Sequence, residues 1–256
     1  MHPKSCLAWI TCLMLTGSAA LAAGLTRADV QSLLTATPAG QRTNFAGRSL
    51  AGLDLHDLDL SNADLSGANL SGADLRGAKL VAAKLVGANL TGAKLNLAWI
   101  MRADFSRADL SNADLETLVV SAGMETQPQE AAKFVGANLS GAKVMARFSL
   151  DDMRGADLSH LHASADMRNQ SMGLIRADFS QANLVGANFT GASLEYATFE
   201  FAKLSGADFS GADLTNADFA GADLTGANFT GAKTSGASFA SATRQGTKGL
   251  APAPSR

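Results

Sequence analysis

Cysteine, proline and aromatic residues are scarce in this sequence, and each scarcity excludes something. Only two cysteines occur, Cys6 and Cys12, both close to the N-terminus. No disulfide framework is available to the rest of the chain, so packing and backbone hydrogen bonding must hold it together. Aromatic residues make up only 6% of the chain, although hydrophobic residues make up 46%. Many small units suit that composition better than one bulky core. Charge is nearly balanced: net −2, or −3 (20 basic against 23 acidic residues) if Lys4 is removed with a leader. That excludes the basic footprint of a nucleic-acid-binding protein. Nowhere does an acid–base or nucleophilic motif appear, and the sequence reads as a non-enzyme without a cofactor. Asp151-Asp152, Glu125 and Glu130 interrupt the regular pattern but have no evident catalytic partner.

The first residues have the form of an export signal. Met1 to Lys4 is a short positive head, "CLAWITCLMLTG" is the apolar stretch, and "SAALAA" offers small residues. Ala20-Leu21-Ala22 fits a cut after Ala22, giving a signal peptide over 1–22. The stretch is short for a membrane anchor, so no stable span is expected after cleavage. A periplasmic or secreted location follows as an expectation. Residues 23–40 read as a short helical cap, with Thr26 as N-cap, Val30, Leu33 and Leu34 on one face, and Pro38 ending it.

From Phe45 onward a large apolar residue returns every fifth position, through Leu50, Leu55 and Leu60 to Val120. A second block runs from Phe179 to Phe239. Ala precedes these centres by two positions, at 63–113 and again at 177–237. Five residues advance about 500° on a helix and would scatter the centres around every face. On a flat strand, successive centres would alternate between faces. A chain that turns a corner once per repeat buries them together, with centre and Ala pointing inward and Gly or Asn at the corner.

The units "ADLSG", "ANLTG", "ADFSG" and "ADLTN" resemble the A(D/N)LxX unit of the pentapeptide-repeat family. That resemblance implies an all-β fold, a right-handed quadrilateral β-helix with four repeats per coil. Alternation supports an even number of sides: Phe179, Leu184, Phe189, Leu194 and Phe199 alternate strictly, and the series continues to Phe229. With four sides, Phe179, Phe199, Phe219 and Phe239 form one column, and Phe189, Phe209 and Phe229 form another opposite it. Leu65, Leu85 and Phe105 belong to the same buried core. Outward charges also alternate one coil apart, as in Asp64, Lys84 and Asp104, or Asp213 over Lys233. The solenoid is therefore placed at 41–243, about ten coils or roughly 50 Å long. Residues 244–256 are expected to be a flexible tail, with Leu250 plugging the last coil.

Residues 121–176 are irregular. Val120 and Phe179 are 59 residues apart, one short of three coils, which suggests a single solenoid with bulged corners. Met153 and Leu158, then Met167 and Met172, are expected as centres in shifted frames. Met145 and the pair His160 and His162 complete a Met/His-rich segment, 145–172, that suits copper, although Met in a core position simply replaces Leu.

Trp99, Met101, Val119, Tyr196 and Phe201 stand at positions that should face solvent, where they would form sticky patches. The 121–133 loop covering some of them is the alternative. Trp99, Met101, Tyr196 and Phe201 are the candidate partner-binding residues. The preferred function is an exported interaction scaffold or spacer with an unknown protein partner, able to form a homodimer through a solenoid end. The family resemblance also implies an alternative, a DNA-mimicking protein that binds a topoisomerase such as gyrase. Copper binding by 145–172 is the third reading.

Overall fold

A computed structural model describes residues 25–120, 126–165 and 176–250. The leader, Glu125, Met167, Met172 and the residues after Leu250 lie outside them. The chain winds as a right-handed quadrilateral β-helix. Each wall is one short edge, and its residue pairs are parallel bridges between consecutive coils. The first wall carries Asn44, Asp64, Lys84, Asp104, Lys133, Asp152, Asn183, Lys203, Asp223 and Thr243, one per coil. The second, third and fourth walls start at Ser49, Asp54 and Asp59.

One repeat shows why five residues suffice. Leu65 points inward and is fully buried. Its N–H donates to the carbonyl of Lys84 in the next coil (2.7 Å), and Lys84 N–H donates back to Ala63 (2.9 Å). Ser66 and Gly67 then form a turn closed by Ala68 N–H on the Leu65 carbonyl (3.0 Å). Gly67 has φ +63°, as the third residue of a type II turn requires. The acidic or amide side chain before the centre closes this turn from outside: Asp64 Oδ1 accepts from Ser66 N–H at 3.1 Å. Asn69, Asp109, Asn188 and Asp223 repeat the contact. Asp and Asn thus stand there because their side chains reach a backbone N–H two residues on, which Lys cannot do.

The interior is filled as the alternation requires. Phe179, Phe199, Phe219 and Phe239 stack with centroids 4.8–5.2 Å apart. Opposite them, Phe189, Phe209 and Phe229 stack at 4.8 and 5.0 Å. The two columns meet edge-to-face, as at Phe209 and Phe219, 5.5 Å and 87°. Leu65, Leu85 and Phe105 are buried with them. Such pairs add about 0.5–1.5 kcal/mol each beyond their burial.

At the N-terminal end, α1 (Arg27–Ala36) covers the first coil. Thr26 and Asp29 form a capping box, and Val30 is fully buried. Arg27 donates to the carbonyls of Asp54 (2.8 Å) and His56 (3.0 Å). Arg42 donates to those of Asn62 (2.9 Å) and Ala82 (3.2 Å). At the other end the ladder extends past 243: Lys248 bridges Asn228, and Leu250 packs against the core. Residues 244–250 are thus tied to the solenoid, in contrast to the flexible tail expected there.

The first, second and third walls bridge from coil to coil through the middle, but the count differs from the expectation of three coils. The fourth wall passes from Val120 to Phe148 to Phe179, which is two coils. First-wall partners step by 29 residues at Asp104↔Lys133, 19 at Lys133↔Asp152 and 31 at Asp152↔Asn183. An insertion after Val120 accounts for the first step. One missing residue between Val144 and Phe148 accounts for the second, and an insertion after Ala163 for the third. Phe148 is a buried centre that the five-residue frame hides, because only four residues separate it from Val144. It stacks on Phe179 at 5.5 Å and continues the aromatic column. Met153 and Leu158 are buried centres, as expected.

Candidate interaction surface

The walls differ in what they expose. The second wall presents Asn69, Asn89, Asp109, Asn138, Asp157, Asn188, Asp208 and Asn228 in successive coils. Its amides reach back to its carboxylates: Asn138 Nδ2 to Asp109 (3.1 Å), Asn188 Nδ2 to Asp157 (3.0 Å) and Asn228 Nδ2 to Asp208 (3.1 Å). Three of the coil-to-coil steps on this wall are thus joined by side chains.

The fourth wall is different. It presents Asp59, Lys79, Trp99, Val119, Arg147, Asp178, Thr198, Asp218 and Ser238. Leu97 stands at its corner with the third wall, and Met101 at its corner with the first. Leu97 is 58% exposed and Trp99 39%. Met101 corrects its expected exposure, being only 7% exposed. The segment that re-enters the ladder after the first insertion explains this: the Glu130 carbonyl accepts from Arg102 N–H at 2.8 Å, beside Met101. That segment contains a 3-10 turn at Pro128–Glu130. Trp99 bridges Val119 along the same wall.

Farther along the wall, by about 20 Å at ~4.8 Å per coil, Tyr196 and Phe201 hold the same two corners. Phe201 is 64% exposed and Tyr196 half-buried. Both have left-handed backbones, φ +63° at Tyr196 and +56° at Phe201. Leu97 shares this conformation at φ +61°. Holding a bulky residue there costs on the order of 1–2 kcal/mol where Gly would be free. The Phe201 ring lies over Gly221 of the next coil, so close that a Cβ at 221 would come 2.5 Å from it. Between Phe201 and Tyr196, Thr198 is buried and donates to Asp178 Oδ1 (3.0 Å), while Ser149 donates to Asp178 Oδ2 (3.0 Å). The sequence places Trp99, Tyr196 and Phe201 outward. That they share one wall follows only from the coil count through the middle.

Asp151 is the buried acid the sequence leaves unexplained. It occupies an inward slot that holds Ala in neighbouring coils and is 1% exposed. Its Oδ1 accepts from Ala132 N–H at 2.7 Å. In a regular repeat that N–H would close a turn on the preceding centre, and the first insertion removes the turn. Burial pushes the Asp151 carboxyl up to about 8. Asp74, by contrast, is lowered to about 2, first by its hydrogen bond from Arg76.

Nor do the Met and His residues of 145–172 converge among the described residues. Met153 is sealed in the core. His160 sits at a corner with φ +53°, its ring against Gly191, whereas His162 stands on the third wall. The two rings therefore do not project from one side of an extended segment, because the chain turns between them. No group of three His, Cys, Asp or Glu side chains suited to a metal occurs among the described residues. No helix among them is long and apolar enough to cross a membrane. Opposite charges do stand one coil apart, but of the column pairs only Asp213 and Lys233 show direct contact among the described residues (2.8 Å).

Comparison with solved structures finds HetL, a pentapeptide repeat protein involved in heterocyst differentiation regulation from Nostoc sp. strain PCC 7120. It is 28% identical over 87% of this chain and 96% of its own, with a TM-score of 0.49. QnrB1, a plasmid-mediated fluoroquinolone resistance protein, is 20% identical over 74% and 84%, TM-score 0.34. A pentapeptide repeat protein from the Arabidopsis thaliana thylakoid lumen is 29% identical over 47% and 72%, TM-score 0.22. Curated protein sequences give no match. The family profile "Pentapeptide repeats" matches eight copies, over residues 41–77, 59–96, 83–116, 174–211 and 207–243, more than half of the chain. The chain belongs to the pentapeptide-repeat family.

Proposed function

We propose that this protein is an exported, non-enzymatic scaffold that engages a protein partner through its fourth wall. The observation that carries the reading is the placement of Leu97, Trp99, Tyr196 and Phe201 on one wall and its corners, three of them in a strained backbone. Large apolar side chains kept exposed argue for a use outside the core, whereas the left-handed corner itself recurs on the other walls, as at Arg107, Leu150 and Gln181. The export signal at 1–22 supports a periplasmic or secreted location. A topoisomerase-binding reading is less favoured, since Lys79, Lys84, Lys94, Lys133 and Lys203 interrupt the acidic columns of three walls. Pairing with a second copy through the C-terminal coil is compatible with the fourth-wall reading, because it uses a different surface.

The test is photo-crosslinking in intact cells from a probe at Lys79 or Glu200, beside Trp99 and Phe201 respectively, against a control probe at Ser210 on the second-wall side. Adducts that form from the fourth-wall positions and disappear in Trp99→Ala/Phe201→Gly are expected. Equal adducts from Ser210, or adducts unchanged in the double variant, would overturn the assignment. Fractionation supplies the second readout: full-length precursor confined to the cytoplasm would remove the exported part of the proposal.

A further inference from the structure

The missing residue between Val144 and Phe148 and the insertion after Ala163 fall at the same corner, between third and fourth walls, in consecutive coils. Neighbouring coils fill that corner with Thr117 on one side and Tyr196 on the other. Between them an open hollow of about 350 Å³ appears, lined by Glu116, Lys143, Val144, Met145, His162, Ser164 and Ser193. Its floor includes the longest regular pairing among the described residues, β1 (Asp114–Glu116) against β2 (Lys143–Met145). This volume lies at the lower end of the range for small-molecule sites.

The lining forms two rows along the solenoid axis. Lys143, His162 and Ser193 stack in one, joined by bridges. Glu116 pairs with Met145 in the other, and Ser164 follows. Two positions along a strand separate the rows, about 7 Å. Lys143 and Glu116 make no ion pair with each other among the described residues, although they stand on adjacent strands. Ser164 donates to Glu195, which holds the rim on the far side. A simple anion would find Lys143 and His162 but face Glu116. A simple cation would find Glu116 but face Lys143. Charge complementarity therefore selects a ligand that carries both signs a short distance apart.

From this arrangement we propose that the hollow is a binding site for a small zwitterion, a free α-amino acid, with its carboxylate toward Lys143, His162 and Ser193 and its ammonium toward Glu116. The partly exposed Met145 at the edge of the hollow takes the ligand's side chain. The site differs in chemistry from the apolar fourth-wall residues, although it borders Tyr196, and adds a small-molecule function to the scaffold.

The full mature chain is titrated with each common L-amino acid at millimolar concentration, with acetate and methylammonium as single-charge probes. Binding is followed by calorimetry and by the imidazole resonances of His162. At least one amino acid is expected to saturate, at about tenfold or greater affinity over either single-charge probe. Lys143→Met and Glu116→Gln, both at positions outside the core, are each expected to weaken it by about tenfold with melting unchanged. His162→Gln, which keeps a polar side chain of similar reach on the third wall, is the second variant if either fails to fold. Absence of saturation with every amino acid overturns the proposal. So does equal affinity for acetate or methylammonium, or unchanged affinity in the folded variants.

Discussion

The second and fourth walls are built from the same repeat, wound on the same coils, yet they have diverged. On the second wall, Asn and Asp occupy the position before the centre from Asn69 to Asn228, closing their own turns and bonding to one another. On the fourth, Trp99 and Val119 take that position, and Leu97, Tyr196 and Phe201 take corners where Gly is otherwise common. Both insertions and the missing residue also adjoin the fourth wall, and none adjoins the second. The core they share explains how this is tolerated. Inward residues and the ladder hold the coil closed, so an outward side chain is free to vary provided its backbone amides and carbonyls still find the next coil.

The largest expected effect tests the core common to both walls. Phe219 is stacked on both axial neighbours and edge-on to the opposite column. Phe219→Lys buries an unpaired charge in place of an aromatic, at a cost of more than about 4 kcal/mol. Thermal melting followed by circular dichroism should show the C-terminal coils lost. An unchanged melting curve would mean that the columns do not hold the walls together.

Next comes Asp151, which anchors the insertion beside the fourth wall. Its folded pKa, about 8, lies above its ordinary value of 3.8. The unfolded chain therefore releases this proton more readily, and stability falls as pH rises between those values. Below 3.8 both states are protonated and the term vanishes. Asp151→Asn keeps an oxygen for Ala132 N–H and removes the titration, so it should stabilise the fold by on the order of 3 kcal/mol near pH 9. Denaturant unfolding at several pH values checks this, and equal stability of variant and parent at alkaline pH would contradict it. Turn carboxylates act in the opposite sense. Asp64 and Asp223 are lowered, first by hydrogen bonds from Ser66 and Ser205, and Asp74 reaches about 2. Their contribution is present above about pH 4 and is lost as pH falls through the lowered values.

The smallest effect compares corner glycines directly. Gly211 borders the second wall with φ +66° and open space where a Cβ would project. Gly221 borders the fourth with φ +68° and the Phe201 ring 2.5 Å from a Cβ. Gly211→Ala should cost about 1 kcal/mol through backbone strain alone. Gly221→Ala should cost about 1–2 kcal/mol more, and that excess should disappear in a Phe201→Gly background. Equal costs in the parent would show that Phe201 moves aside freely.

Much of this fold is legible in the sequence because a period of five with Ala two residues before each centre admits few backbones. The alternation of Phe and Leu even assigns columns, and Phe179 through Phe239 stack as it predicts. Phe148 escapes, because one missing residue shifts it out of frame and periodicity cannot separate a short repeat from a broken one. Asp151 escapes for a different reason: only the structure reveals that Ala132 has lost its turn. The turn-closing role of Asp64 is legible in the preference for Asp or Asn just before each centre, since those side chains reach a backbone N–H two residues on, yet charge alternation along the column conceals it. The shared wall of Trp99 and Phe201 depends on counting coils through 121–176, where residue spacing alone suggests three and the ladder contains two.

Partners on the second wall remain in register across steps of 29, 19 and 31 residues: Asp109↔Asn138, Asn138↔Asp157 and Asp157↔Asn188. The solenoid keeps count in corners turned, and is indifferent to how much chain each corner consumes. A frame that would be lost at once in a coiled coil survives both gain and loss of residues here. Such a molecule can acquire appendages along one edge while its opposite edge continues to grow as a uniform lattice, and new surfaces can accumulate without the scaffold being rebuilt around them.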